Sequence, residues 1–142
     1  MAGNMLQWML AGIPALCDYA APKNVGIIIW TDVGAIDTQS KIDEKLSQWA
    51  SWGIRGIKVD FMMNDSQTRM NTYQMIASKA ISLELLVNFH GSTKPSGESR
   101  TYPNIITSEA IRGAEHYKWS EYPTAYHNCT VPFTRNVIGG MD

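Results

Sequence analysis

Four short stretches of this 142-residue chain carry side chains that could do chemistry. They are Trp30-Thr31-Asp32, Lys58-Val59-Asp60, Asn88-Phe89-His90-Gly91 and Thr107-Ser108-Glu109. In "GIRGIKVDF", residues 53–61, two full charges sit among Ile54, Ile57, Val59 and Phe61. Burying a charge is costly unless it is paired or used. Residues i and i+2 of a strand point to the same side, so Lys58 and Asp60 share a face, as do Asn88 and His90. That face looks either at water or into a site that needs an ammonium beside a carboxylate. Carboxylates delivered by different strands can divide acid, base and nucleophilic work. One beside an ammonium stays ionised, and one without such help can stay protonated and act as an acid. Glycoside hydrolysis needs that division, and so do other reactions. Each residue also has a plain structural reading. Asp32 can be a turn residue beside Gly34, and Asp60 a helix cap, although Asn64 or Asp65 suits that cap better. His90 can be a hydrogen-bonded core histidine. Glu109 and Glu115 can be solvated charges, with Arg112 neutralising one of them.

The elements that would position these groups alternate. Residues 2–20 have helix-compatible apolar spacing, interrupted by Gly12 and Pro14. "VGIIIW", 25–30, predicts a strand buried on both faces. Residues 37–53 predict a helix capped by Asp or Thr, with Ile42, Leu46, Trp49 and Ala50 on its inner face and Gly53 as its stop. "IRGIKVDF" is the next strand, with Ile57, Val59 and Phe61 packing outward against helices. Residues 64–83 predict a second helix, with Met70, Tyr73, Ile76, Ala77 and Ala80 inward, and 84–91 a third strand. A polar loop, 92–104, leads to "IITSEAIRG", 105–113, a β-type run that continues into a short helix. The pattern beyond is irregular. Strands alternating with helices at this spacing predict βαβ units and a parallel sheet, in which functional groups collect at the C-terminal strand ends. No GxGxxG follows a strand and no GxxxxGK[ST] occurs, so nucleotide binding of those types has no support.

Composition narrows the classes further. The chain is 44% hydrophobic and 18% charged with a net charge of −1, which gives no electrostatic reason to expect nucleic acid or an anionic membrane as partner. No apolar run approaches the roughly 20 residues that span a bilayer. The N-terminal stretch lacks a basic n-region, so no signal peptide is expected and the compartment stays open. Cys17 and Cys129 have no metal-type spacing and read as buried thiols. The plentiful Trp, Tyr and Met fit core packing or a carbohydrate-stacking surface.

"WGIRGIKVDFM", "LLVNFHGSTKPSGESRTYPNIITSEAIRGAEHYKW" and "HNCTVPFTRNVIGGMD" together resemble the catalytic domain of glycoside hydrolase family 97, from about residue 25 to the last residue. That family holds α-glucosidases and α-galactosidases, mostly bacterial and mostly calcium-dependent. The resemblance implies an α/β fold, a partial (β/α)8 TIM barrel of strands three to six and the start of the seventh region. It implies one domain over residues 1–142, without the family's flanking β-sandwich and C-terminal β-domain. A whole barrel takes roughly 250 residues.

The resemblance also implies roles. Asp60 matches the nucleophile of the retaining branch, and Gly91 stands near the place where the inverting branch carries a carboxylate. Glu115 matches the general acid/base, Glu109 a calcium ligand, and Lys58 a lysine that holds a sugar hydroxyl. His90 and Asp32 are subsite candidates. The expected activity is retaining hydrolysis of terminal α-galactosides by double displacement. A retaining pair stands about 5–5.5 Å apart. The alternatives are an α-glucosidase of the same family, an inactive barrel fragment or a non-catalytic carbohydrate-binding domain. The expected partners are an α-linked oligosaccharide, bound with calcium as cofactor, and a second copy of the chain docked through open barrel edges.

Overall fold

A computed structural model describes residues 12–119 and 122–141. The first helix, α1, runs Ile13–Ala20 with Pro14 in its first turn, where a missing N–H costs nothing. The remainder of the helix expected over 2–20 lies outside the described residues. Four strands follow: β1 (Ile28–Asp32), β2 (Gly56–Asp60), β3 (Leu86–Phe89) and β4 (Ile105–Ser108). All neighbours are parallel, in the order β1-β2-β3-β4. Between them run α2 (Gln39–Ser51), α3 (Gln67–Ser82) and the short α4 (Glu98–Thr101). Sequential parallel strands joined by helices are the repeating unit of a (β/α)8 barrel. The chain forms a partial one. The described residues from 109 to 119 and from 122 to 141 form bends, 3-10 turns and a helix, α5 (Ala125–Thr130).

One face of the sheet packs on the helices. Ile57, Val59, Val87 and Phe89 meet Ile42, Leu46, Trp49, Tyr73 and Ile76 there, and all are buried. Thr38 caps α2, its hydroxyl accepting from the Lys41 N–H, and Gly53 ends the turn beyond at φ +87°. Ser66 caps α3 by accepting from the Arg69 N–H. Asn64, a favoured candidate for that cap, instead turns the chain before it, accepting from the Ser66 N–H.

The opposite face carries Ile28, Trp30, Lys58, Asp60, Leu86 and Asn88. Here two expectations change. β1 lies two to three residues later than 25–30 and is not buried on both faces, since Ile28 and Trp30 are 46% and 55% exposed. Phe61 does not pack on the helices. The strand ends at Asp60, Phe61 turns to φ +59°, and the two-residue alternation breaks. Met62 takes the buried place, while Phe61 is half exposed with its ring edge-on to Trp30.

No helix continues β4 over 109–113; Ala114–Lys118 is a 3-10 turn. No described helix is long and apolar enough to cross a membrane.

Candidate active site

Register builds the site. β1 and β2 align Trp30 with Lys58 and Asp32 with Asp60, and β2 and β3 align Lys58 with Asn88. Just past β3, the His90 N–H bonds the Val59 carbonyl at 2.8 Å, which seats His90 beside the end of β2. Between β3 and β4 the partners step from Val87↔Ile105 to Asn88↔Thr107, so Ile106 is an extra residue in the ladder. This bulge re-aims the end of β4. The Glu109 N–H then bonds the Phe89 carbonyl at 2.8 Å and its side chain reaches the turn after β3.

Asp60 stands at the centre with its side chain 13% exposed. One oxygen, Oδ2, accepts from the Trp30 indole Nε1 at 2.9 Å. The other, Oδ1, accepts from the Phe61 N–H at 2.7 Å and lies 3.2 Å from His90 Nδ1. Burial pushes the Asp60 pKa up, but the bonds from Trp30 and Phe61 and the neighbouring His90 outweigh it. The net shift is downward, so the carboxylate stays ionised.

His90 Nδ1 also lies 3.2 Å from Glu109 Oε2. A nitrogen facing two carboxylate oxygens must carry the hydrogen, so His90 is a donor at Nδ1 to both. The same Oε2 accepts from the Gly91 N–H at 2.6 Å. Gly91 makes this possible at φ +53°, a conformation side chains disfavour. Glu109 itself is 8% exposed. Donor atoms of Glu109, Glu115 and His116 all lie within 4.8 Å of one another. Asp60, His90, Glu109 and Glu115 therefore form one continuous chain of neighbouring groups at the C-terminal edge of the sheet.

The remaining sequence candidates sit differently. Lys58 shares the face of Asp60 but forms no ion pair with it; the groups that touch Asp60 are Trp30, Phe61 and His90. The expectation that Lys58 keeps Asp60 ionised is corrected accordingly. Register places Lys58 between Trp30 and Asn88, half-buried on the bare face. Asp32 is exposed and caps the turn at 33–36, its Oδ1 accepting from the Gly34 N–H at 2.6 Å. Beside Asp60 in the register, its side chain makes no hydrogen bond to Asp60, His90 or Glu109. Arg112 lies over the Tyr122 ring, 5.3 Å from its centroid, and pairs with neither glutamate.

Two participants escape a reading by sequence. Trp30 is a plain aromatic until the register sets it one strand from Asp60, and His116 is an unremarked neighbour of Glu115. A Trp two residues before a strand-end Asp was the only available signal.

A family model for glycoside hydrolase 97 matches residues 8–111. The chain belongs to glycoside hydrolase family 97. It is 42% identical over 130 residues to a probable retaining α-galactosidase of Streptomyces bingchenggensis, covering 92% of this chain and 20% of that protein. It is 37% identical over 129 residues to a retaining α-galactosidase of Bacteroides thetaiotaomicron, covering 89% of this chain and 19% of the other. The chain thus spans about a fifth of the curated relatives it matches.

Its fold superposes on a β-arabinopyranosidase crystal structure with a TM-score of 0.86 at 31% identity, covering 93% of this chain and 23% of that one. It also superposes on a family 97 enzyme of Pseudoalteromonas sp. strain K8 in complex with acarbose, with a TM-score of 0.80 at 24% identity, covering 92% and 23%. Both agree with a partial family 97 barrel.

The donor chemistry at Glu109 and Glu115 suits a hard cation in part. Calcium takes six to eight oxygens, and two carboxylates supply a minority of them. The His116 imidazole suits a transition metal better. Glu109 Oε2 is engaged by two N–H donors, which leaves Oε1 for an ion.

Proposed function

We propose that this chain carries the catalytic face of a retaining α-galactosidase. The observation that carries the reading is the setting of Asp60. It is a strand-end carboxylate held ionised by Trp30, Phe61 and His90, and joined through His90 and Glu109 to the neighbourhood of Glu115. The names of the two α-galactosidase relatives support the sugar.

In this reading Asp60 attacks the anomeric carbon while Glu115 gives its proton to the departing glycosidic oxygen. A covalent glycosyl ester on Asp60 results. Glu115 then takes a proton from water, the hydroxide attacks the anomeric carbon, and Asp60 leaves as carboxylate. Lys58 and His90 hold sugar hydroxyls on the inward face, and Asp32 lies at the rim. Glu109 would hold calcium, which when bound polarises nearby sugar oxygens.

The β-arabinopyranosidase neighbour supports a second reading of the sugar. A β-L-arabinopyranoside has the ring stereochemistry of an α-D-galactoside without the C6 hydroxymethyl group. We further propose that the chain on its own pairs with a second copy through the open edges of β1 and β4. The exposed Ile28 and Trp30 on β1 and Ile106 on β4 support this.

The deciding experiment compares aryl α-galactoside, β-L-arabinopyranoside and α-glucoside, with NMR of the first-formed anomer. Retention on the galactoside, abolished by Asp60→Asn, is expected. An inverted first product, or activity surviving Asp60→Asn, refutes the reading. Sugar binding without turnover by the parent chain points to a binding module instead.

A further inference from the structure

The segment carrying Glu115 has few anchors of its own. From Glu109 the chain leaves the sheet, and Ile111, Arg112 and Gly113 form no backbone hydrogen bond with any strand among the described residues. Its attachments come from side chains of the C-terminal segment, 127–135. Arg135 donates through both Nε and Nη2 to one acceptor, the Ala110 carbonyl, at 3.1 and 2.7 Å. His127 Nε2 stands 3.0 Å from the Arg112 carbonyl. A carbonyl only accepts, so that nitrogen carries the hydrogen. Asn128 donates to the Tyr117 hydroxyl. Three side chains thus grip the segment before, within and after the stretch that presents Glu115.

Building on the glycosidase reading, we infer that Arg135 and His127 are positioning residues that fix the general acid/base Glu115 by holding the carbonyls of Ala110 and Arg112. A guanidinium delivers two donors from one rigid plane, so it sets direction as well as distance. An ammonium at the same place supplies a single point of attachment. A general acid works only within hydrogen-bond reach of the leaving oxygen, so loosening its backbone removes proton donation while leaving the nucleophile in place.

The test uses the whole chain with Arg135→Met, Arg135→Lys and, as a second anchor, His127→Phe. Hydrogen exchange of amides 110–117 reads the anchor directly. Hydrolysis of two α-galactosides reads its consequence, one with a dinitrophenyl leaving group that needs no protonation and one with an alkyl leaving group that does. Arg135→Met is expected to speed exchange in that segment. It is also expected to cut kcat/KM, which reports the glycosylation step alone, roughly tenfold or more on the alkyl glycoside beyond any loss on the dinitrophenyl glycoside. Arg135→Lys is expected to recover only part of either.

Unchanged exchange overturns the inference, and so does an equal loss of kcat/KM on both substrates, the mark of a lower folded fraction. If the parent hydrolyses neither substrate, the glycosidase reading falls. Exchange alone then decides the anchor, kept by faster exchange and removed by unchanged exchange.

Discussion

Replacing Trp30 by Phe removes the indole N–H donor from the site while keeping an aromatic ring, though a smaller one. The indole Nε1–H donates to Asp60 Oδ2 at 2.9 Å, while the ring edge meets Phe61 with centroids 6.2 Å apart, a contact a phenyl ring largely keeps. A hydrogen bond to a charged group is worth about 1.5–3 kcal/mol. Trp30 is 55% exposed, so water can take the vacated place and the loss falls to about 1 kcal/mol.

The sign follows from Asp60, whose folded pKa is lowered. Its bonds stabilise the fold fully above the unfolded carboxylate value, about 3.9, and the contribution disappears as pH falls through the lower folded value. Trp30→Phe therefore destabilises the chain by about 1 kcal/mol at neutral pH and progressively less in acid. The same loss moves the acid limb of the pH–rate profile upward. The assay is a double-mutant cycle by denaturant unfolding at neutral pH, with Trp30→Phe, Asp60→Asn and the pair. A coupling near 1 kcal/mol is expected. A Trp30→Phe penalty of equal size in the Asp60→Asn background refutes the claim that the indole acts through the carboxylate.

Four further outcomes follow from the same geometry. Gly91→Ala puts a side chain on φ +53° with only ordinary contacts around it, so unfolding should show a loss of about 1–2 kcal/mol and no larger steric penalty. Calcium should raise the melting temperature of the parent chain and not that of Glu109→Gln; a calcium shift equal in both removes Glu109 as the ligand. Ile57→Ala, at a fully buried point between sheet and helices, should cost about 2–5 kcal/mol by denaturant titration, and a much smaller value would place that face against solvent. Light scattering at micromolar concentration should find more than a monomer, and a monomer refutes pairing through the open edges.

The periodicity of the chain was enough for the framework. Apolar spacing located α2 and α3 with Ile42, Leu46, Trp49, Tyr73 and Ile76 inward, because a helix repeats within a few residues and its buried stripe is written locally. Alternation put Lys58 and Asp60 on one side for the same reason, and the strand–helix rhythm implied a parallel sheet. What happens where a strand ends is not periodic. Phe61 was read as one more outward residue, yet the left-handed turn after Asp60 reverses its direction. Ile106 lengthens β4 by one residue against β3, and that shift delivers Glu109 to Gly91 and His90.

Asp60 and His90 were legible as candidates from their own strands, whereas the contacts around Asp60 were not. Trp30 and His90 each lie 30 residues away, and only the register of three strands decides which of their atoms meet. Lys58, two residues away and seemingly the natural partner, makes no ion pair with Asp60. Local pattern fixes which face a residue joins. Which hydrogen bonds form across that face depends on register, bulges and the turns beyond each strand, and those are settled only when the helices and sheet pack together.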